Sequence, residues 1–497
     1  MKRSSGILMP ISSLPSPYGI GTFGKAAYDF VDFLKEAGQA WWQILPVGPT
    51  SYGDSPYQSF STYAGNPYFI DPDLLIEDGL LEKEDVEEYD WGDDEEKVDY
   101  EKIYQSRFRM LEKAKKNGFE RDREKVEEFK NRYSNWIYDY ALFMAVKKHF
   151  SMKAWTEWDD EGIRLHRKDA CDKYSEMLRE DVDLFIYIQY LFFSQWKKLR
   201  QYAHDNGIGI IGDLPIYVAM DSADVWSDPD SFQLDEKNVP VEVAGVPPDY
   251  FSEDGQLWGN PLYDWESMRQ DGYGWWIRRI DGASSLYDVL RIDHFRGFES
   301  YWAVPFGEKT AKVGRWVKGP GIYFVKMITG WFNNIQFIAE DLGILTDEVH
   351  ELLDESGLPG MKVLEFAFDA ETPSSYLPHV YKRNCICYAG THDNNTLMGW
   401  KDEAKKEDLA FAKSYLGLND EEGFCRGIIR GGMSSVADLF VAQMQDYLEL
   451  GEEARINTPG VLGGNWQWRM KKNALTKELA EEIHEMTRAY GRLCEKE

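Results

Sequence analysis

The chain has 497 residues, a 43% hydrophobic share and a formal net charge of −30. That length allows one very large domain or several ordinary ones, and no apolar run is long enough to span a bilayer. The charge repels phosphate backbones and anionic lipid, which argues against a nucleic-acid or membrane-surface role and leaves a neutral substrate open.

Eight short apolar runs, each ending in polar, Gly or Pro residues, read as fully buried parallel strands. They are residues 6–9, 41–46, 207–214, 289–292, 337–339, 362–366, 385–388 and 454–456. The first follows Lys2-Arg3 and is cut off by Pro10, so it reads as a strand and not as a signal peptide. Helical patterns fall between the runs. Phe30, Phe33 and Leu34 form a stripe that stops at Gly38. Residues 74–180 are mostly helical and strongly charged. Tyr104, Phe108 and Leu111 make one helical face there, Ile137, Tyr140, Ala141 and Met144 another, and the acidic run 82–101 is a solvated face. Leu184, Ile188 and Leu191 belong to a helix that ends at Asn206-Gly207. Residues 219–281, rich in Pro, Gly, Trp and Asp, read as an irregular lid. Leu475, Leu479, Ile483, Met486 and Tyr490 form a last stripe.

Strands alternating with helices predict an α/β fold, a (β/α)₈ TIM barrel over residues 1–497, with 74–180 and 219–281 as insertions. About 40 residues follow the last run, too few for an appended β-sandwich. Five Cys in so long a chain do not make a disulfide framework. Cys385 and Cys387 share a strand face as structural thiols, and a reducing, cytoplasmic setting follows.

Residues just past barrel strand ends line the active face. The third run ends in Asp213, the fourth in Arg291-Ile292-Asp293-His294, the fifth in Glu340-Asp341, and Thr391-His392-Asp393 follows the seventh. Glycosidic chemistry needs one carboxylate to attack the anomeric carbon and another to protonate the leaving oxygen. Ends of neighbouring strands lie about 5 Å apart, the spacing of retaining enzymes. Arg291 projects to the same side as Asp293 and can hold it ionised. Glu340 needs a raised pKa, and a neighbouring carboxylate supplies that pressure. The competing metal-site reading of Asp293-His294 and His392-Asp393 is weak, because adjacent strand residues point to opposite faces. No metal and no cofactor is expected.

With these residues in view, the chain resembles the amylomaltases, the disproportionating 4-α-glucanotransferases of the wider α-amylase clan. The resemblance runs from the first strand to the C-terminus. It includes Trp42-Gln43-Ile44-Leu45-Pro46-Val47-Gly48-Pro49, Ser55-Pro56-Tyr57-Gln58-Ser59 and Gly245-Val246-Pro247-Pro248-Asp249-Tyr250-Phe251. It continues in Gln256-Leu257-Trp258-Gly259-Asn260-Pro261 and Asn457-Thr458-Pro459-Gly460. It implies Asp293 as nucleophile, Glu340 as acid/base and Asp393 as the third carboxylate, which grips ring hydroxyls. It places Ser55, Asp213, Arg291, His294, His392, Gln256 and Asn465 around the substrate. Tyr57 becomes an aromatic platform, Trp258 an acceptor-side aromatic, and Tyr250 and Phe251 part of the lid. In Asn465-Trp466-Gln467-Trp468-Arg469, Gln467 stands where the family pattern leads to Arg.

The implied activity is transfer of an α-1,4-glucan segment to the 4-hydroxyl of another glucan or glucose, with maltodextrins and amylose as donor and acceptor. The resemblance is compatible with a monomer or a homodimer. The closest rival is a mainly hydrolytic α-amylase-type enzyme, which uses the same intermediate. A non-catalytic glycan-binding protein is the other, and it would be expected to have lost one of the carboxylates.

Overall fold

The computed structural model describes residues 2–51, 53–248, 252–343, 345–461 and 463–494. Eight parallel strands form its centre: β1 (Ser4–Leu8), β2 (Trp41–Gln43), β3 (Gly209–Leu214), β4 (Val289–Ile292), β5 (Gln336–Ala339), β6 (Gly360–Val363), β7 (Cys385–Tyr388) and β8 (Leu439–Gln443). They follow one another in sequence order, and β1 pairs with both β2 and β8, with Gly6 opposite Trp41 and Ser4 opposite Leu439. The seam between β5 and β6 is joined by Ala339 N–H donating to Pro359 O at 2.9 Å and by Met361 N–H donating to Asp341 Oδ1 at 2.6 Å. The fold is a (β/α)₈ barrel.

Both strand faces are covered, which is why the runs are continuously apolar. Leu8, Ile211, Val289, Ile338, Met361, Ile386, Leu439 and Val441 fill the interior, while Ile7, Trp42, Ile210 and Leu290 belong to the core outside it. Gly212 lets that outer layer approach: a Cβ there would lie 2.1 Å from the Tyr287 ring. Alternation along β3 therefore turns its neighbour Asp213 inward.

Three expected strands change. The eighth is Leu439–Gln443, not 454–456, which lies in a loop where Ile456 O accepts Trp466 N–H at 2.7 Å. Residues 364–366 form a 3₁₀ turn after β6, and β2 stops at Gln43. Between β2 and β3 lie the helices Tyr100–Gly118, Ile137–His149 and the 27-residue Arg179–Asp205. Asp99 caps the first of these, accepting from Lys102 N–H at 3.2 Å. Its buried face is Ile103, Met110, Leu111 and Ala114, whereas Tyr104, expected on that face, is 45% exposed. The pattern is displaced because Arg107 is buried: it donates to Ile70 O at 2.7 Å and lies over Trp91. In the segment expected to be irregular, strands Glu242–Val246 and Gln256–Pro261 join Ser300–Pro305 and Arg315–Lys318 in a four-stranded antiparallel sheet.

Two arginines tie the ends of the chain to the base of β8. Arg3 donates to Met433 O and Ser435 O at 3.0 and 2.8 Å, and Arg492 donates to Met433 O and Ser4 O at 2.9 and 2.8 Å. Among the described residues no helix is long and apolar enough to cross a membrane.

Candidate active site

Strands β4 and β5 are in register, with Ile292 opposite Ala339, so Asp293 and Glu340 leave the barrel side by side. His294 takes a left-handed backbone, φ 51° and ψ 46°, unusual for a residue with a Cβ. The turn aims its N–H at Glu340 Oε2, at 2.7 Å. Leu342 N–H donates to the other oxygen, also at 2.7 Å. Both oxygens of Glu340 are thereby fixed by backbone, independently of any rotatable side chain.

Arg291, buried in the barrel mouth, donates from Nη1 to Asp213 Oδ2 at 2.5 Å and to Asp293 Oδ1 at 3.2 Å. Tyr57 OH donates to the same Asp213 oxygen at 2.7 Å. Having given its one proton there, the phenol accepts from His392 Nε2 at 2.9 Å, which places the imidazole proton on Nε2. The Tyr57 and His392 rings stack at 5.2 Å and 17°, and Trp466 packs on both. His392 Nε2 also lies 3.4 Å from Asp393 Oδ2. Trp258 meets His294 edge-on at 4.9 Å.

The electrostatics follow from four carboxyl groups around one guanidinium. Burial opposes the charge on Arg291, but Asp213 and Asp293 outweigh it and hold the group protonated. Burial pushes Asp293 well above the usual carboxylate range; Arg291 pulls against that rise, and Asp213, Glu340 and Asp393 add to it. Burial raises Glu340 to about 6, restrained by Arg291 and by the N–H groups of Leu342 and His294. Asp293 and Glu340 therefore titrate as a pair, with Arg291 favouring the charged form of each. Burial also lowers both histidines, His294 to about 3, so each is a neutral hydrogen-bonding group. Asp293 keeps 28% of its side chain accessible and Asp393 43%, open to a ligand from the barrel mouth. Buried Asp213 Oδ1 and His294 Nε2 have no hydrogen-bond partner among the described residues.

The chain matches the 4-alpha-glucanotransferase family over residues 9–476. It belongs to that family. It is 51% identical over 489 residues to the 4-alpha-glucanotransferase of Clostridium butyricum, covering 98% of this chain and 100% of that one. The Thermus thermophilus 4-alpha-glucanotransferase is 45% identical over 504 residues, 99% and 100% of the two chains. Among solved structures, the amylomaltase from Streptococcus agalactiae in complex with acarbose superposes with a TM-score of 0.97 at 44% identity, covering 99% of this chain and 100% of that one.

Within this 4-α-glucanotransferase barrel the remaining expected residues fall into three groups. Ser55 and Gln256 sit beside the aromatics: Ser55 Oγ accepts Tyr57 N–H at 3.3 Å, and Gln256 Oε1 accepts Trp258 Nε1–H at 3.1 Å. Asn465 instead spends its amide on its own loop, accepting Thr458 N–H at 3.0 Å and donating to Val461 O at 2.9 Å. Tyr250 and Phe251 lie outside the described residues. Sequence reasoning missed two groups on Asp393: Asn457 Nδ2 donates to its Oδ1 at 2.6 Å, and Arg455 Nη2 to its backbone O at 3.0 Å. Asn457 stood in a run quoted for the resemblance, but nothing in its spacing points to Asp393, 64 residues away. No group of three or more His, Cys, Asp and Glu among the described residues is arranged to hold a metal.

Proposed function

We propose that the chain transfers segments of α-1,4-glucan to the 4-hydroxyl of an acceptor glucan or glucose by a retaining double displacement. The observation that carries this is the pairing of Asp293 and Glu340 on adjacent, in-register strands, one bonded to a guanidinium and the other raised to about 6. Adjacent strands lie about 4.8 Å apart, which matches the separation of about 5 to 5.5 Å in retaining enzymes.

Asp293 attacks the anomeric carbon of the donor. The bond to the departing glucan breaks, and Glu340 gives its proton to the leaving oxygen. The 4-hydroxyl of the acceptor then attacks the glycosyl–Asp293 ester, Glu340 takes the hydroxyl proton, and Asp293 is released. Two inversions give net retention. Arg291 stays bonded to Asp213 throughout and favours the Asp293 carboxylate both as nucleophile and as leaving group. In this reading Asp213, His294, His392 and the exposed part of Asp393 take ring hydroxyls. Tyr57 and Trp258 give the sugar apolar faces and compete with water for the ester. Maltodextrins and amylose fit as partners, as does the acarbose named with the Streptococcus agalactiae relative. Five free cysteines, three of them buried, support a cytoplasmic setting.

Incubation with maltotriose tests the proposal. Transfer yields glucose together with a ladder of longer maltodextrins. Glucose and maltose alone, with nothing longer than the starting sugar, would mean that water is the acceptor and would overturn it.

A further inference from the structure

We infer that Asn457 is a positioning residue for Asp393, tying the loop after β8 to the third carboxylate of the site. The inference rests on the proposed role of Asp393 as a group that holds sugar hydroxyls. Asp393 follows β7 and is 43% exposed, and a carboxylate so placed can rotate about two side-chain bonds. What restrains it comes from residues 455–457. Asn457 Nδ2 donates to Oδ1 at 2.6 Å; because an ionised carboxylate only accepts, the amide nitrogen is the atom that faces it. Arg455 locks the two residues together, with Nη2 on the Asp393 carbonyl at 3.0 Å and Nε on the Asn457 carbonyl at 2.8 Å. With Oδ1 occupied by Asn457, Oδ2 lies 3.4 Å from His392 Nε2 on a side chain that stays 43% exposed, which leaves it free to grip a hydroxyl.

The loop that supplies Asn457 is itself closed at its base. Trp466 N–H donates to Ile456 O at 2.7 Å, and the amide of Asn465 bonds Thr458 and Val461. Trp466, at the far end, packs against Tyr57 and His392. One short loop thus sets both the third carboxylate and the aromatic pair beside it, so Asn457 is held in place before substrate arrives. A hydrogen bond made to a group that must be aimed in the transition state acts on kcat more than on KM.

The full chain is assayed for maltotriose disproportionation as wild type, Asn457→Ala, Asn457→Asp, Asp393→Asn and the double variant Asp393→Asn/Asn457→Ala, each with its thermal midpoint. Asn457→Ala is expected to lower kcat about 10- to 100-fold with KM changed less than about threefold. Asn457→Asp keeps the shape but removes the donor, so it is expected to lose at least as much. The residual turnover of Asp393→Asn is expected to fall no further in the double variant, since Asn457 acts through that carboxylate. Near wild-type kcat in Asn457→Asp, or a multiplied loss in the double variant, would overturn the inference and leave Asn457 a loop-shaping residue. Full turnover in Asp393→Asn would be a different result, removing the role of Asp393 on which the inference rests.

Discussion

At the scale of single residues, the site places one permanent cation where several acids compete for few protons. Glu340 is the member whose titration reads out in the rate. Its pKa is raised to about 6, chiefly by burial, and the first displacement requires its protonated form. Asp293 must be ionised in that same step, so kcat/KM of the free enzyme is expected to trace a bell, falling about tenfold per unit at low pH, where both acids hold protons, and again at high pH, where the pair has lost both. A level profile from about pH 4 to about pH 9 would contradict Asp293 and Glu340 as nucleophile and acid. Asp293 poses a separate test. Burial and three neighbouring carboxyls disfavour its charge, so the folded protein bears a cost for keeping the nucleophile ionised. Asp293→Asn is expected to cut transfer by at least about a thousandfold while leaving the thermal midpoint unchanged or higher. A variant that loses its midpoint along with its activity would mean that Asp293 holds the barrel together.

At the scale of elements, the seam between β5 and β6 carries much of its closure on one side chain. Asp341 is buried and accepts Met361 N–H at 2.6 Å. Asp341→Ala is expected to cost about 1–3 kcal/mol in denaturant titration, because a buried donor is left without a partner. Asp341→Asn keeps an acceptor and is expected to cost much less. The barrel could be read from the sequence because its strands are buried on both faces, which leaves unbroken apolar runs such as Val289–Ile292 and Cys385–Tyr388. The acids became legible through the same runs, since each stands just past a strand end. The eighth strand was legible too: Leu439–Gln443 is more apolar than Ala454-Arg455-Ile456, and the register of Ser4 against Leu439 identifies it as the strand. What could not be read depends on pairing. The antiparallel sheet was hidden for that reason: Gly245 and Pro261 are strand breakers in isolation, and both are placed at pairing positions by partners. Arg107 misled the helical face because charge predicts exposure, and its hydrogen bond to Ile70 O lies 37 residues away.

At the scale of the whole molecule, the acidic balance and the buried acids act in the same direction. Burial raises Asp224 and Asp446 to about 7 and Asp341 to about 6. Between those values and the unfolded carboxylate range the native state binds more protons than the unfolded one, so stability decreases as pH rises through that window. It is fully present only below the unfolded value of about 4 as far as these groups are concerned, and lost above their folded values. With a net charge of −30, protonation also relieves self-repulsion. The thermal midpoint is expected to climb between about pH 8 and about pH 5, and Asp446→Asn is expected to flatten that climb. The pairing of β1 with β8 has a further consequence, in the order of synthesis. The first strand to leave the ribosome has for one neighbour the strand that leaves last. At about 5–20 residues per second the edge of β1 waits roughly 20 to 90 s for Leu439 to emerge. Throughout that interval β1 has one unpaired edge, and only the emergence of β8 retires it. Aggregation through that edge, and the demand it places on chaperones, is confined to the time before β8 emerges.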